Sequence, residues 1–182
     1  MRVIAGSAKG VQLQAVPGSG TRPISDRVKE AVFDILGDSV IDSNVLDLFA
    51  GTGSVGIEAL SRGAEQAVFV EKHPKAITTI RANLHRTQLQ SRARIVQADV
   101  FKFLSGDPQP FHLIYIAPPQ YQSLWKRTLL ALEAKPYWLA TDGLAIVQIF
   151  PKELEPLALT ALHLTEQRKY GSTLLCFYEP CA

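Results

Sequence analysis

The segment VLDLFAGTGSVG, Val45 to Gly56, restricts the possible folds of this chain more than any other stretch. It reads as a short aliphatic strand, a glycine turn and the start of a helix, with Gly51, Gly53 and Gly56 spaced as G-x-G-x-x-G. A strand that feeds straight into a helix returns as a crossover, and crossovers join parallel strands. The alternation continues downstream. Strands are expected at 44–48, 67–71, 93–97, 111–116 and 143–149, with helices beginning near Ser54, Pro74, Val100 and Tyr121. Pro74 suits a first helical position, where its missing N–H costs nothing. After Pro151 a short helix is followed by two strands, about 160–169 and 172–179, which Gly171 separates as an antiparallel pair. The expected class is α/β, a mostly parallel sheet covered on both faces.

Ahead of this unit, Arg2 to Ala5 and Val11 to Ala15 read as short strands joined around Gly6 and Gly10, followed by the loop PGSG at Pro17 to Gly20. Ser25 can cap a helix with Asp26 in its first turn. Val28, Ala31, Val32, Ile35 and Leu36 then share one face, and Gly37 ends it. The expected division is a basic hairpin, 1–20, in front of one domain, 21–182. With 47% hydrophobic and 20% charged residues, the 182-residue chain can bury a single core and is not disordered. No apolar run approaches the roughly 20 residues of a spanning helix, and MRVIAGSAKG lacks a signal-like apolar core, so a cytoplasmic location is expected.

Charge is unevenly spread although the net value is only +2. Residues 1 to 29 carry Arg2, Lys9, Arg22, Arg27 and Lys29 against Asp26 alone, and residues 72 to 98 carry Lys72, Lys75, Arg81, Arg86, Arg92 and Arg94 with no acid. Such stretches favour a polyanionic partner such as nucleic acid, although the second could equally be a solvated helix face. Cys176 and Cys181 lack metal-ligand spacing, and Cys176 reads as a buried free thiol. His73, His85, His112 and His163 are dispersed, so no metal is expected.

The glycine loop alone fits either a dinucleotide or another nucleoside cofactor. Glu71, 20 residues after Gly51 at the next strand's end, can accept from ribose hydroxyls in both cases. Asp47 discriminates. A carboxylate just before the glycines would repel a pyrophosphate, whereas S-adenosylmethionine presents an ammonium and a sulfonium that a carboxylate attracts. Asp99, after the third strand in QADVF, could accept from an adenine amino group, although each acid could also be an ordinary cap.

At these residues the sequence resembles the class I S-adenosylmethionine-dependent methyltransferases. It resembles most the bacterial family that methylates guanine N2 in small-subunit (16S) ribosomal RNA. The likeness runs through RVIAGSAKG, TRPISDRVKEAVFDIL at Thr21 to Leu36, VLDLFAGTGSVGIEALSRGA at Val45 to Ala64, VEKHP, QADV and the closing RKYGSTLLCFYEP. It implies a Rossmann-like sheet of seven strands with the last antiparallel, plus the small N-terminal β-hairpin. It also implies a cofactor site of Asp47, Phe49, Ala50, Gly51, Thr52, Gly53, Glu71, Lys72, Asp99 and Val100, with Thr21, Arg22 and Pro23 beside it. In that likeness Arg2, Lys9, Arg22 and Arg27 would meet RNA. The implied partner is ribosomal RNA or the small ribosomal subunit, met by a monomer with no membrane and no metal.

One segment departs from the pattern. Amino methyltransferases of this kind place Asp or Asn, two prolines and an aromatic residue after the fourth strand, where this chain has Ala117, Pro118, Pro119, Gln120 and Tyr121. These five are the candidate catalytic residues. An exocyclic amino group needs an acceptor that localises its lone pair, and losing one can cost on the order of 10²-fold in rate. Three explanations stand. Gln120 could supply its amide oxygen, the target could be another atom, or the protein could bind cofactor and RNA with weak or lost catalysis. Tyr121 and Trp125, expected at i and i+4 of one helix, could stack on an extruded base, or Trp125 could be core. A dinucleotide oxidoreductase is disfavoured by Asp47 and by the lack of a second domain.

Overall fold

A computed structural model describes residues 1–18 and 23–182. Seven strands form one sheet in the order β3-β2-β1-β4-β5-β7-β6. They are β1 (Asn44–Leu48), β2 (Gln66–Glu71), β3 (Ala93–Gln97), β4 (Phe111–Ile116), β5 (Leu139–Ile149), β6 (Leu162–Tyr170) and β7 (Thr173–Pro180). The first five run parallel, and β7 is antiparallel to both β5 and β6. The mostly parallel sheet with an antiparallel last strand is therefore present. The helices are α1 (Asp26–Leu36), α2 (Ser54–Ser61), α3 (Pro74–Thr87), α4 (Val100–Leu104) and α5 (Leu124–Ala134).

The sheet is buried on both faces, as its aliphatic strands require. Val45, Leu113, Tyr115 and Ile146 meet Val32, Phe33, Ile57 and Leu60 on the face covered by α1 to α3. Leu46, Ile114, Ile116 and Val147 meet Leu104, Trp125 and Leu129 on the other. Helix α2 lies so close to β2 that a Cβ on Gly56 would stand 2.4 Å from the Phe69 ring. The third glycine of the loop is thus a packing requirement.

Local signals in the sequence account for most boundaries. Ser25 Oγ accepts from Val28 N–H, and Gly37 closes α1 at φ 52°. Two boundaries differ. Helix α5 begins at Leu124 rather than Tyr121, because Tyr121 and Ser123 take φ of 59° and 54°, which no helix accepts. Tyr121 and Trp125 are therefore not i and i+4 on one helix, and Trp125 is core at 2% exposure. Strand β5 begins four residues early, past a register shift between Phe111 and Leu113 that polar Thr141 and Asp142 disguise in the sequence.

The N-terminal segments pair antiparallel through one bridge, Arg2 with Gln12, flanked by Val3 N–H to Val11 O at 3.0 Å and Gly10 N–H to Val3 O at 2.9 Å. Val3, Ala8 and Leu13 are buried in the same core as α1 and α2. Polar contacts dock this arm. The fully buried Glu58 accepts from Ile4 N–H at 2.9 Å, Ala5 N–H at 3.1 Å and Arg62 Nε at 2.9 Å, and pairs with Lys29 Nζ at 3.4 Å. Lys29 Nζ also donates to Arg2 O at 2.6 Å and Ser54 Oγ at 3.0 Å. Lys29 is therefore not part of a basic surface. Arg92 is likewise committed, donating to the carbonyls of Ala64 and Leu60 behind α2.

Removing one partner of a buried ion pair costs about 3–5 kcal/mol. Glu58→Ala should lower unfolding free energy by that order in urea denaturation, because it strands Lys29, Arg62 and two backbone N–H groups. Lys29→Met should cost clearly less, since Arg62 still neutralises Glu58; equal losses would exclude this hierarchy.

Candidate cofactor and acceptor site

The sheet order places β1 between β2 and β4, so crossovers on its two sides diverge and open a crevice at the strands' carboxyl ends. Chain reversal above β1 uses three left-handed residues, Phe49 at φ 60°, Gly51 at 58° and Gly53 at 78°. Glycine adopts this region freely, whereas Phe49 is held there at a cost in backbone strain. Ala50 N–H donates to Val70 O at 3.1 Å and pins the turn to β2. Thr52 is buried, and its carbonyl accepts from Asn83 Nδ2 at 3.0 Å, which ties the loop to α3.

Two carboxylates bracket this loop. Glu71 Oε2 accepts from Gly51 N–H at 2.9 Å, and its Oε1 accepts from Lys72 N–H at 2.8 Å and His73 N–H at 3.0 Å. Asp47 lies beneath, buried, with Oδ2 accepting from Gly56 N–H at 3.1 Å. Burial pushes the Asp47 carboxyl up to about 8, the Gly56 N–H opposes this and the Glu71 charge adds to it. Asp99, at the end of β3, caps α4 by accepting from Phe101 N–H at 2.8 Å and Lys102 N–H at 3.3 Å through one oxygen. Lys72 is exposed beside Glu71, and Val100 is buried in the first turn of α4. Thr21 and Arg22 lie outside the described residues, while Pro23 is exposed.

The candidate catalytic segment leaves the end of β4 beside β1. Ala117 and Pro119 are partly buried, Pro118 is buried and Gln120 is exposed. Tyr121 is 67% exposed, and its ring stacks on Phe150 at a centroid distance of 5.3 Å. Glu153 organises this pair, since Oε1 accepts from Tyr121 N–H at 2.8 Å and Oε2 from Phe150 N–H at 2.9 Å. Phe150 and Glu153 escaped the sequence reading. Their only local signal was an aromatic residue and Pro151 at the end of β5. On the basic side, Lys9 and Arg27 are exposed, and Arg2 is exposed but pairs with Asp26 at 3.7 Å.

Among the described residues no group of three or more potential metal ligands converges. A nucleoside cofactor with a cationic end fits what is present. Asp47 is a buried carboxyl whose ionised form is met by the single N–H of Gly56 and would gain from a cation, and Glu71 faces the glycine turn from the adjacent strand end. A dinucleotide would bring its pyrophosphate against both. The sheet order, the switch-point crevice and this acidic lining define a class I S-adenosylmethionine-dependent methyltransferase.

The sequence matches the family model described as Conserved hypothetical protein 95 over residues 1–179, and the chain belongs to that family. The Bacillus subtilis protein YlbH is 38% identical to it over 183 residues, covering 98% of each chain. Ribosomal RNA small subunit methyltransferase D of Escherichia coli is 34% identical over 148 residues, 81% of this chain and 74% of its own. The solved structure of the Escherichia coli methyltransferase-like protein yhhF superposes with a TM-score of 0.88 at 30% identity, covering 99% of this chain and 97% of its own.

The raised Asp47 carboxyl yields a pH prediction. Below about 8 the folded cofactor-free protein holds a proton there that the unfolded chain, with a value of 3.8, has released above pH 4. This contribution to stability is therefore present at low pH and lost as pH rises from about 4 to 8. A bound cation favours the ionised form, so binding S-adenosylmethionine near pH 7 should release about one proton. Calorimetry in buffers of different ionisation heat reads this directly. Asp47→Asn should abolish the release, weaken binding roughly 10- to 100-fold and flatten the stability loss toward pH 8.

Proposed function

We propose that this protein methylates the N2 amino group of a guanine in 16S ribosomal RNA. The observation that carries the reading is the segment Pro118 to Tyr121 that follows β4, with its exposed Tyr121 ring backed by Phe150. A solvent-exposed aromatic ring that follows the acceptor segment suits a base lifted out of its stack. The Escherichia coli relative is named for small-subunit ribosomal RNA, which supports that substrate.

In this reading Asp47 and the loop Phe49 to Gly53 hold the methionine end, Glu71 and Lys72 the ribose, and Asp99 and Val100 the adenine. By the family resemblance Thr21, Arg22 and Pro23 belong to the same cofactor-binding set. S-adenosylmethionine supplies an electrophilic methyl on sulfur, and the residues of the chain bring the acceptor nitrogen into line with it. Tyr121 stacks on the base, Glu153 holds Tyr121 in its left-handed turn, and the Pro118 carbonyl accepts one N–H from the base. Arg2, Lys9, Arg22 and Arg27 on the N-terminal side contact phosphates. The protein works in the cytoplasm as a monomer on RNA or on the small subunit.

Incubating the protein with undermethylated small subunits and labelled S-adenosylmethionine, then identifying the labelled nucleoside, tests the activity. N2-methylguanosine is expected. Retained RNA and cofactor binding without label would instead favour a binding protein, a reading that Ala117 motivates. Lys9→Ala and Arg27→Ala should each weaken RNA binding uniformly across sequences and reduce the slope of log affinity against log salt by about 1.

A further inference from the structure

Methylation of an exocyclic amino group sets one requirement that the end of β4 does not meet. The nitrogen lone pair is delocalised into the base, so an N–H must be held by an acceptor that turns the lone pair toward the methyl donor. Ala117 stands at this place, with no polar atom in its side chain. The neighbouring strand offers one. Ile116 pairs with Val147, so the next register position sets Ala117 beside Gln148, and paired residues of a parallel sheet send their side chains to the same face.

Tyr115, two positions before Ala117, leaves that face too, and its hydroxyl donates to Gln148 Oε1. Tyr115 is buried, and burial first and the neighbouring Asp47 second push its phenol well above the ordinary value, so it stays a donor. Asp47 pairs in register with Tyr115. Asp47, Tyr115 and Gln148 therefore form a polar row across β1, β4 and β5, from beneath the cofactor loop toward the acceptor segment. Gln148 is only partly buried and stands at the end of the row. An amide oxygen has two lone pairs, and Tyr115 occupies one. Gln120 is the other nearby amide, but it is exposed on a turn, where fixing its side chain costs more rotamer entropy.

We propose that Gln148 Oε1, anchored by Tyr115, accepts one N–H of the amino group being methylated and so supplies the acceptor that Ala117 lacks. This rests on the guanine-amino reading above. The nitrogen lone pair forms the new N–C bond as the carbon–sulfur bond breaks onto sulfur. The proton then shed by nitrogen passes to water, because a neutral amide orients but is too weak a base to retain it. Gln148 is thus a catalytic residue by contact with the acceptor, and Tyr115 a positioning residue.

Gln148→Met keeps side-chain volume and removes the acceptor. With small subunits as substrate it should lower kcat on the order of 10²-fold. The calorimetric affinity for S-adenosylmethionine should stay unchanged, which a folding defect would not allow, while the melting temperature falls only by the roughly 2–8 °C that stranding the buried Tyr115 hydroxyl costs. Adding Ala117→Asp to Gln148→Met restores an acceptor beside the vacated place and should recover at least about tenfold. Tyr115→Phe should give a smaller loss in kcat with KM unchanged. Wild-type kcat in Gln148→Met overturns the inference, and a loss that Ala117→Asp does not relieve overturns the acceptor role. A wild-type protein that labels no guanine overturns the functional reading itself, a result distinct from either.

Discussion

The buried carboxylate of Glu58 is the contact on which the arrangement of this protein turns. A charge taken fully out of water is retained only where donors and counter-charges surround it. Here they come from three parts of the chain: backbone N–H groups of Ile4 and Ala5, the Lys29 ammonium on α1, and the Arg62 guanidinium at the end of α2. Lys29 also reaches Ser54, the first residue of α2, so the arm and α1 are fixed against the start of the helix that follows the glycine turn. Asn83 on α3 repeats the device, bonding Gln14 of the arm and Thr52 of the loop. The N-terminal arm is thereby tied directly to the edge of the cofactor crevice.

That attachment leaves the loop itself able to carry strain. Phe49 sits in a left-handed conformation, and Gly56 allows α2 to press against Phe69, because the flanking strands and helices over-determine both. The two acids then divide the work by environment. Glu71 is satisfied by three backbone donors, whereas Asp47, buried with one, has its carboxyl displaced toward neutrality. A cationic ligand end resolves that displacement. The same low-dielectric layer keeps Tyr115 protonated and makes it a fixed donor to Gln148.

Periodicity and punctuation in the sequence anticipate most of the sheet because each signal acts within a few residues. Ser25 caps its own helix, Pro74 opens one and Gly171 turns the last hairpin. Misreadings arise where distant contacts override local preference. Tyr121 looked helical by its spacing from Trp125, but Glu153, from beyond β5, holds its N–H in a turn. Lys29 belongs to a basic run in the sequence, but the ion pair with Glu58 takes it out of the surface. Asp99 does act as the helix cap that was one of its two expected roles.

The sequence alone determined the α/β alternation, the glycine turn and the acidity of the strand ends that face it, because hydrophobic period, glycine spacing and charge sign are properties of neighbouring residues. Only the tertiary structure decided which groups meet across the switch point. Residues 47, 115 and 148 come together through strand register, and residues 121, 150 and 153 through the packing of two chain segments at the sheet's rim. Register depends on how whole strands bury their faces. No local pattern in the chain therefore specifies that Tyr115 meets Gln148.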